Sequence, residues 1–150
     1  MVIITKSGQP LLYEKESYVL RGIWMDIYNS LGPGHKEIVY GNAFEHTLRN
    51  NKIPFIREPI ISLIYDGKKV GTYRPDFITF NEIIVEFKSL NIIPQVFYKK
   101  IYQYLKSSQY KLAFIVNFGT TELQIIRRIY DIKRQKKSVA SACNPYKFVL

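Results

Sequence analysis

The spacing of apolar side chains divides the chain into helical and extended stretches. From Leu11 to Leu31, Val19, Ile23, Ile27 and Leu31 recur at helical intervals and predict a first helix. Gly32-Pro33-Gly34 breaks it. A second helix is predicted from about His35 to Asn51, with Ile38, Phe44 and Leu48 among its apolar positions. Asn50 and Asn51, just ahead of Ile53-Pro54, supply its stop.

The pattern then turns extended. Glu58 to Tyr65 carries Ile60, Ile61, Leu63 and Ile64 and ends at the turn pair Asp66-Gly67. Val70 to Tyr73 and Phe77 to Phe80 also read as extended, separated by Arg74-Pro75-Asp76, and Asn81-Glu82 turns the chain into the apolar run Ile83 to Phe87. A meander is expected here. A third helix follows over about Pro94 to Ser107, then a strand from Lys111 to Asn117 that is apolar enough to be buried on both faces. Gly119-Thr120 makes a turn, and Glu122 to Tyr130 forms the last strand. The order is α-α-β-β-β-α-β-β. An α/β (α+β) domain with a mixed sheet is implied, because the third helix crosses between two strands.

The 150 residues fit one domain, placed at 1–130, with a basic tail over 131–150. A composition 47% hydrophobic and 15% aromatic excludes a disordered chain. Twenty-two Lys and Arg against 12 Asp and Glu give a net charge of +10, which draws polyanions: nucleic acid first, an anionic membrane surface second. Cys143 is the only cysteine, so no intrachain disulfide and no cysteine zinc site can form, and a reducing intracellular compartment is expected. Met1 to Pro10 lacks the apolar core of a signal peptide, and no uncharged run approaches the ~18–20 residues that cross a bilayer. A soluble protein with no membrane partner is expected.

Candidate chemistry lies in Pro75-Asp76 and, after nine intervening residues, Glu86-Phe87-Lys88. Alternation along a strand puts Glu86 and Lys88 on one face and Val85 and Phe87 on the other. Charges in an apolar strand are costly unless they are paired or bind metal. Register decides the rest. A three-residue loop (Phe80, Asn81, Glu82) sets Asp76 opposite Glu86, whereas a two-residue loop (Asn81, Glu82) sets it opposite Phe87 and parts the carboxylates. Converging carboxylates suit Mg²⁺ or Mn²⁺, which would polarise a scissile phosphate and acidify a bound water. Lys88 would hold that water or neutralise the phosphorane. The competing reading is a Pro-Asp turn and a solvated Glu-x-Lys pair.

These residues resemble the PD-(D/E)XK nuclease superfamily, and within it the small family named after its GxxExxY motif. That motif reads here Gly34-His35-Lys36-Glu37-Ile38-Val39-Tyr40. In the family's order follow Ile53-Pro54-Phe55, Asp66-Gly67, Gly71 to Asp76, Ile84 to Lys88, Tyr104-Leu105-Lys106 and Asn117-Phe118-Gly119, so that the likeness covers about Leu20 to Tyr130. It implies a restriction-endonuclease-like core of α-β-β-β-α-β order. It also implies Asp76 and Glu86 as metal ligands, Lys88 as catalytic lysine and Glu37 as a third acidic group, though a first-turn acid favoured by the helix dipole is an equal reading of Glu37. Where the family tends to carry Gln, this chain has Lys100.

Two further features bear on partners. Six of the eleven residues from Arg127 to Lys137 are basic. Lys100, Arg127, Arg128, Lys133 and Arg134 are therefore candidate nucleic-acid contacts, DNA ahead of RNA. A binding module that keeps the fold without efficient chemistry is the chief alternative, and a protein-interaction or membrane-surface role for the basic tail is a third. Glu45 is expected to be solvated, Trp24 to be core, and Tyr40 to pack near Glu37. His35 and His46 lack zinc-site spacing.

Overall fold

Leu20, Ile23, Trp24 and Ile27 form the buried stripe of the first helix, α1 (Glu14–Leu31), in a computed structural model that describes residues 8 and 10–131. The expected stripe was rotated by about one position, since Val19 and Leu31 are exposed. The helix also starts later than Leu11, because Tyr13 adopts a left-handed conformation with φ 53°. Helix α2 (Glu37–Asn50) buries Tyr40, Gly41, Phe44 and Leu48 and leaves Ile38 exposed. Lys133, Arg134 and Cys143 lie outside the described residues.

Seven strands follow among the described residues, where the expected order held five. One that no expected segment covered, β1 (Phe55–Arg57), comes straight after Pro54. β2 (Ile61–Tyr65) and β3 (Lys68–Tyr73) form a separate two-stranded antiparallel sheet. β4 (Phe77–Thr79), β5 (Ile83–Lys88), β6 (Leu112–Asn117) and β7 (Gln124–Ile129) join β1 in a five-stranded sheet of order β1-β4-β5-β6-β7. The expected continuous meander is thus two hairpins in two sheets. Arg74-Pro75-Asp76 carries the chain from one to the other, and Pro75, lacking an N–H, suits a break in pairing.

The sheet is mixed, as the order of elements required. β5 and β6 run parallel, joined through α3 (Gln95–Ser107), and the other pairings are antiparallel. β6 is buried along its whole length. Strand alternation sorts the core into two layers. Phe77, Val85, Phe87, Phe114 and Val116 pack with α1 and α2, while Ile78, Ile84, Ala113 and Ile115 pack with Ile101 and Leu105 of α3 and with Ile61 and Tyr73 of the small sheet. Glu86 and Lys88 therefore share the α3 side with Ile84.

The first layer is dense in aromatic contacts. Trp24 meets Phe114 edge-on with 5.1 Å between ring centroids, and Phe44 meets Phe77 likewise at 5.0 Å. Such pairs add about 0.5–1.5 kcal/mol each beyond the apolar area they bury. This packing holds β4 and β5 at fixed height against α2, which is what positions the site.

Candidate active site

The hairpin register follows the three-residue loop. Phe77 pairs with Val85, Ile78 with Ile84 and Thr79 with Ile83, leaving Phe80, Asn81 and Glu82 as the connection. Phe80 and Asn81 both have positive φ, 54° and 59°, which lets so short a loop reverse the chain. Asp76 immediately precedes β4, and its carboxyl comes close enough to Glu86 for the two to interact.

Main-chain bonds fix both partners. Asp76 Oδ2 accepts the Phe87 N–H at 2.7 Å, and its carbonyl accepts the Glu58 N–H at 2.7 Å. Glu86 Oε1 accepts the Tyr73 hydroxyl at 2.5 Å, and Oε2 lies 3.8 Å from Lys88 Nζ. Burial first, then the charge of Asp76, push the Glu86 carboxyl up to about 7, while Tyr73 and Lys88 partly oppose the shift. Burial and the negative charge of Glu86 also raise the Tyr73 phenol far above its ordinary range, so it remains a donor. Lys88 Nζ rests 4.8 Å from the centre of the Phe97 ring, a cation–π contact.

These groups border a cavity of about 240 Å³ whose wall includes Glu86, Lys88, Lys100, Phe97, Tyr73 and Tyr104. Asp76 borders a second cavity of about 530 Å³ with Glu37, Asn42 and Arg57. Glu37 is exposed in the first turn of α2, and among the described residues no three His, Cys, Asp or Glu side chains form a group able to hold a metal ion. The structure thus brings together Asp76, Glu86 and Lys88, while Glu37 shares a cavity wall with Asp76 and not with Glu86. Two hard-oxygen groups, one of them disfavoured as an anion by burial and by its neighbour, still fit a cation that keeps several waters, as Mg²⁺ does.

The GxxExxY segment fastens the end of β5. Tyr40 is buried, donates to the Gly32 carbonyl at 2.6 Å, accepts the His35 N–H at 3.0 Å, and stacks on Phe118 with 4.1 Å between centroids. Its hydroxyl thus serves the Gly-Pro-Gly turn. The Gly34 N–H donates to the Phe118 carbonyl, the Phe118 N–H to the Lys88 carbonyl at 2.8 Å, and Ser89 Oγ to the His35 carbonyl at 2.5 Å. Asn117, fully buried, bonds through its side chain to the Leu90 N–H and carbonyl. Gly119 leaves no room for a side chain, since a Cβ there would fall 2.2 Å from the Leu90 nitrogen.

The basic candidates separate. Lys100 is exposed at the rim of the smaller cavity. Arg127 pairs opposite Phe114 and donates to the Leu12 carbonyl at 2.6 Å, whereas Arg128 pairs opposite Ala113 and lies 5.1 Å from the Tyr98 ring centre, so they serve opposite layers. Glu45, expected to be solvated, is paired with Arg57 at 2.6 Å and Arg49 at 2.8 Å, and these two, Arg57 foremost, hold its carboxyl below the ordinary range. Trp24 is fully buried. Sequence reasoning gave no role to Tyr73, Tyr104 or Phe97. Their signal was an aromatic at an inward position of β3 and two on the sheet-facing side of α3.

Comparison with known proteins gives three results. The sequence profile described as the PD-(D/E)XK nuclease superfamily matches residues 14–129. Among solved structures, one titled "Crystal structure of SSO0001" is 17% identical with a TM-score of 0.45; the alignment covers 85% of this chain and 60% of that one. No curated protein matches. No helix among the described residues is long and apolar enough to cross a membrane.

Proposed function

Since this chain belongs to the PD-(D/E)XK nuclease superfamily, we propose that it is a divalent-metal-dependent nuclease that hydrolyses phosphodiester bonds, with DNA preferred to RNA. The observation that carries this reading is the register of β4 and β5, which turns Asp76 toward Glu86 with Lys88 two residues further along the same face. The net charge of +10 suits a polyanionic substrate. Within the superfamily, the segment from Gly34 to Tyr40 favours the GxxExxY family.

In this reading Asp76 and Glu86 hold Mg²⁺ or Mn²⁺. When bound, the ion supplies Lewis-acid polarisation of the scissile phosphate and an acidified water. Asp76 is held for this by the Phe87 N–H and Glu86 by the Tyr73 hydroxyl. Lys88 donates to the attacking water or to the charge growing on the phosphorane, and its place over Phe97 limits where the ammonium can go. Glu37, which lines the second cavity with Asp76, would be the third acidic group and would act on the ion directly or through water. Lys100 and Arg128 contact the phosphate backbone, as do Lys133 and Arg134.

The test is cleavage of plasmid DNA and of an RNA of matched length with Mg²⁺ or Mn²⁺. Cleavage is expected from the native protein and not from Asp76→Ala or with excess EDTA. Equal cleavage in either control rejects the reading. Lys100 on the cavity wall, at the family's Gln place, favours a second reading: a nucleic-acid-binding module without efficient chemistry. Salt-sensitive binding with no scission under any divalent ion would establish it.

A further inference from the structure

Glu86 offers its two oxygens to different neighbours. Oε1 takes the Tyr73 hydroxyl at 2.5 Å, and Oε2 is left toward Lys88 Nζ at 3.8 Å. Tyr73 is only 6% exposed and is the last residue of β3, so it reaches the site from the small sheet and not from the sheet that carries Glu86. Its ring lies flat on Tyr104 of α3, with centroids 3.7 Å apart and planes within 7°. A nearly buried ring stacked in this way has little freedom to turn, which holds the hydroxyl on Glu86.

We propose that Tyr73 sets the ion preference of the site by keeping Oε1 of Glu86 out of the coordination sphere. This rests on the reading that Asp76 and Glu86 hold the cation. An oxygen already accepting a short hydrogen bond has surrendered a lone pair and part of its charge to the donor, and Glu86 then grips an ion through Oε2 alone. Calcium takes about 6–8 oxygens at ~2.3–2.6 Å and readily uses both oxygens of one carboxylate. Magnesium requires near-octahedral geometry at ~2.0–2.1 Å and is satisfied by single carboxylate oxygens and water. Tyr73 is therefore a positioning residue that favours small octahedral ions and disfavours Ca²⁺. Tyr104 acts one step further back, by holding the Tyr73 ring.

The experiment is competition binding on the full chain without nucleic acid, following Mn²⁺ by its paramagnetic resonance signal while Ca²⁺ is added. Tyr73→Phe keeps the ring and its stack and removes only the hydroxyl. The preference for Mn²⁺ over Ca²⁺ is expected to narrow by about 10-fold, the lower end of what outer hydrogen bonds contribute at metal sites. Tyr104→Leu, which leaves the Tyr73 hydroxyl in place but frees its ring, is expected to move the same ratio in the same direction by less. A ratio unchanged in Tyr73→Phe overturns the proposal while leaving the metal pair intact. Mn²⁺ binding that survives Asp76→Asn undiminished overturns the metal assignment itself, and the proposal with it.

Discussion

Asp76 makes Glu86 a weaker acid. Next to burial, it is the largest cause of a carboxyl pushed up to about 7 from the ordinary 4.5. In the unfolded chain that penalty on the charged form disappears. The metal-free protein accordingly holds this group's contribution in full below about pH 4.5 and loses it as pH rises through about 7, by roughly 3 kcal/mol over the window. Thermal unfolding in EDTA should show the midpoint falling between about pH 5 and about pH 8. Asp76→Asn, which removes the neighbouring charge, should flatten that fall. A slope unaltered by Asp76→Asn would count against the coupling.

Lys88 can be separated from the carboxylates by its effect. Lys88→Ala leaves Asp76 and Glu86 in place, so Mn²⁺ binding should persist while the turnover rate for phosphodiester cleavage drops about 10²–10³-fold. Loss of both together would show that Lys88 supports the acidic pair and not the reacting phosphate.

Lys100 sits on the cavity wall and is exposed. Lys100→Ala should weaken nucleic-acid binding evenly across sequences and lower the magnitude of the salt slope by about one. The measurement is the affinity of the Asp76→Asn protein for an oligonucleotide at several salt concentrations, with and without Lys100→Ala. An unchanged slope places Lys100 off the phosphate path.

Gly119→Ala tests the scaffold behind β5. The added methyl would press on the main chain of Ser89 and Leu90, which follows Lys88 directly, and no flexible side chain is there to yield. A loss of about 1–3 kcal/mol or more is expected in urea unfolding, with reduced cleavage by the molecules that remain folded. Gly22→Ala, on the exposed side of α1 with open space around it, is the control and should be neutral or slightly stabilising.

Most helices and strands could be read from the chain because their apolar periods are strong. The Leu112 to Asn117 strand was legible from its unbroken apolar run, and the parallel pairing of β5 with β6 from the helix between them. β1 was not, since three residues between Pro54 and Glu58 show no alternation to detect. The split into two sheets was hidden because Arg74-Pro75-Asp76 reads equally as a turn within one meander. Register was left open because it depends on Phe80 adopting positive φ, which an aromatic side chain does not advertise. The separation of Glu37 from Glu86 is a matter of how α2 lies against the sheet, and no local pattern encodes that.

The Phe80-Asn81-Glu82 connection works as a gauge. Surface turns ordinarily absorb insertions and deletions with little harm. This one can change at Asn81, where Asn81→Gly should suit the left-handed backbone, yet its length is locked. Gaining or losing a single amino acid would exchange the inward and outward sets of one strand, sending Ile78 toward the α1–α2 layer and Phe77 toward α3, and taking Asp76 out of step with Glu86. Natural variation should therefore tolerate new letters at Asn81, less so at Phe80, which packs on the core, and never alter their count.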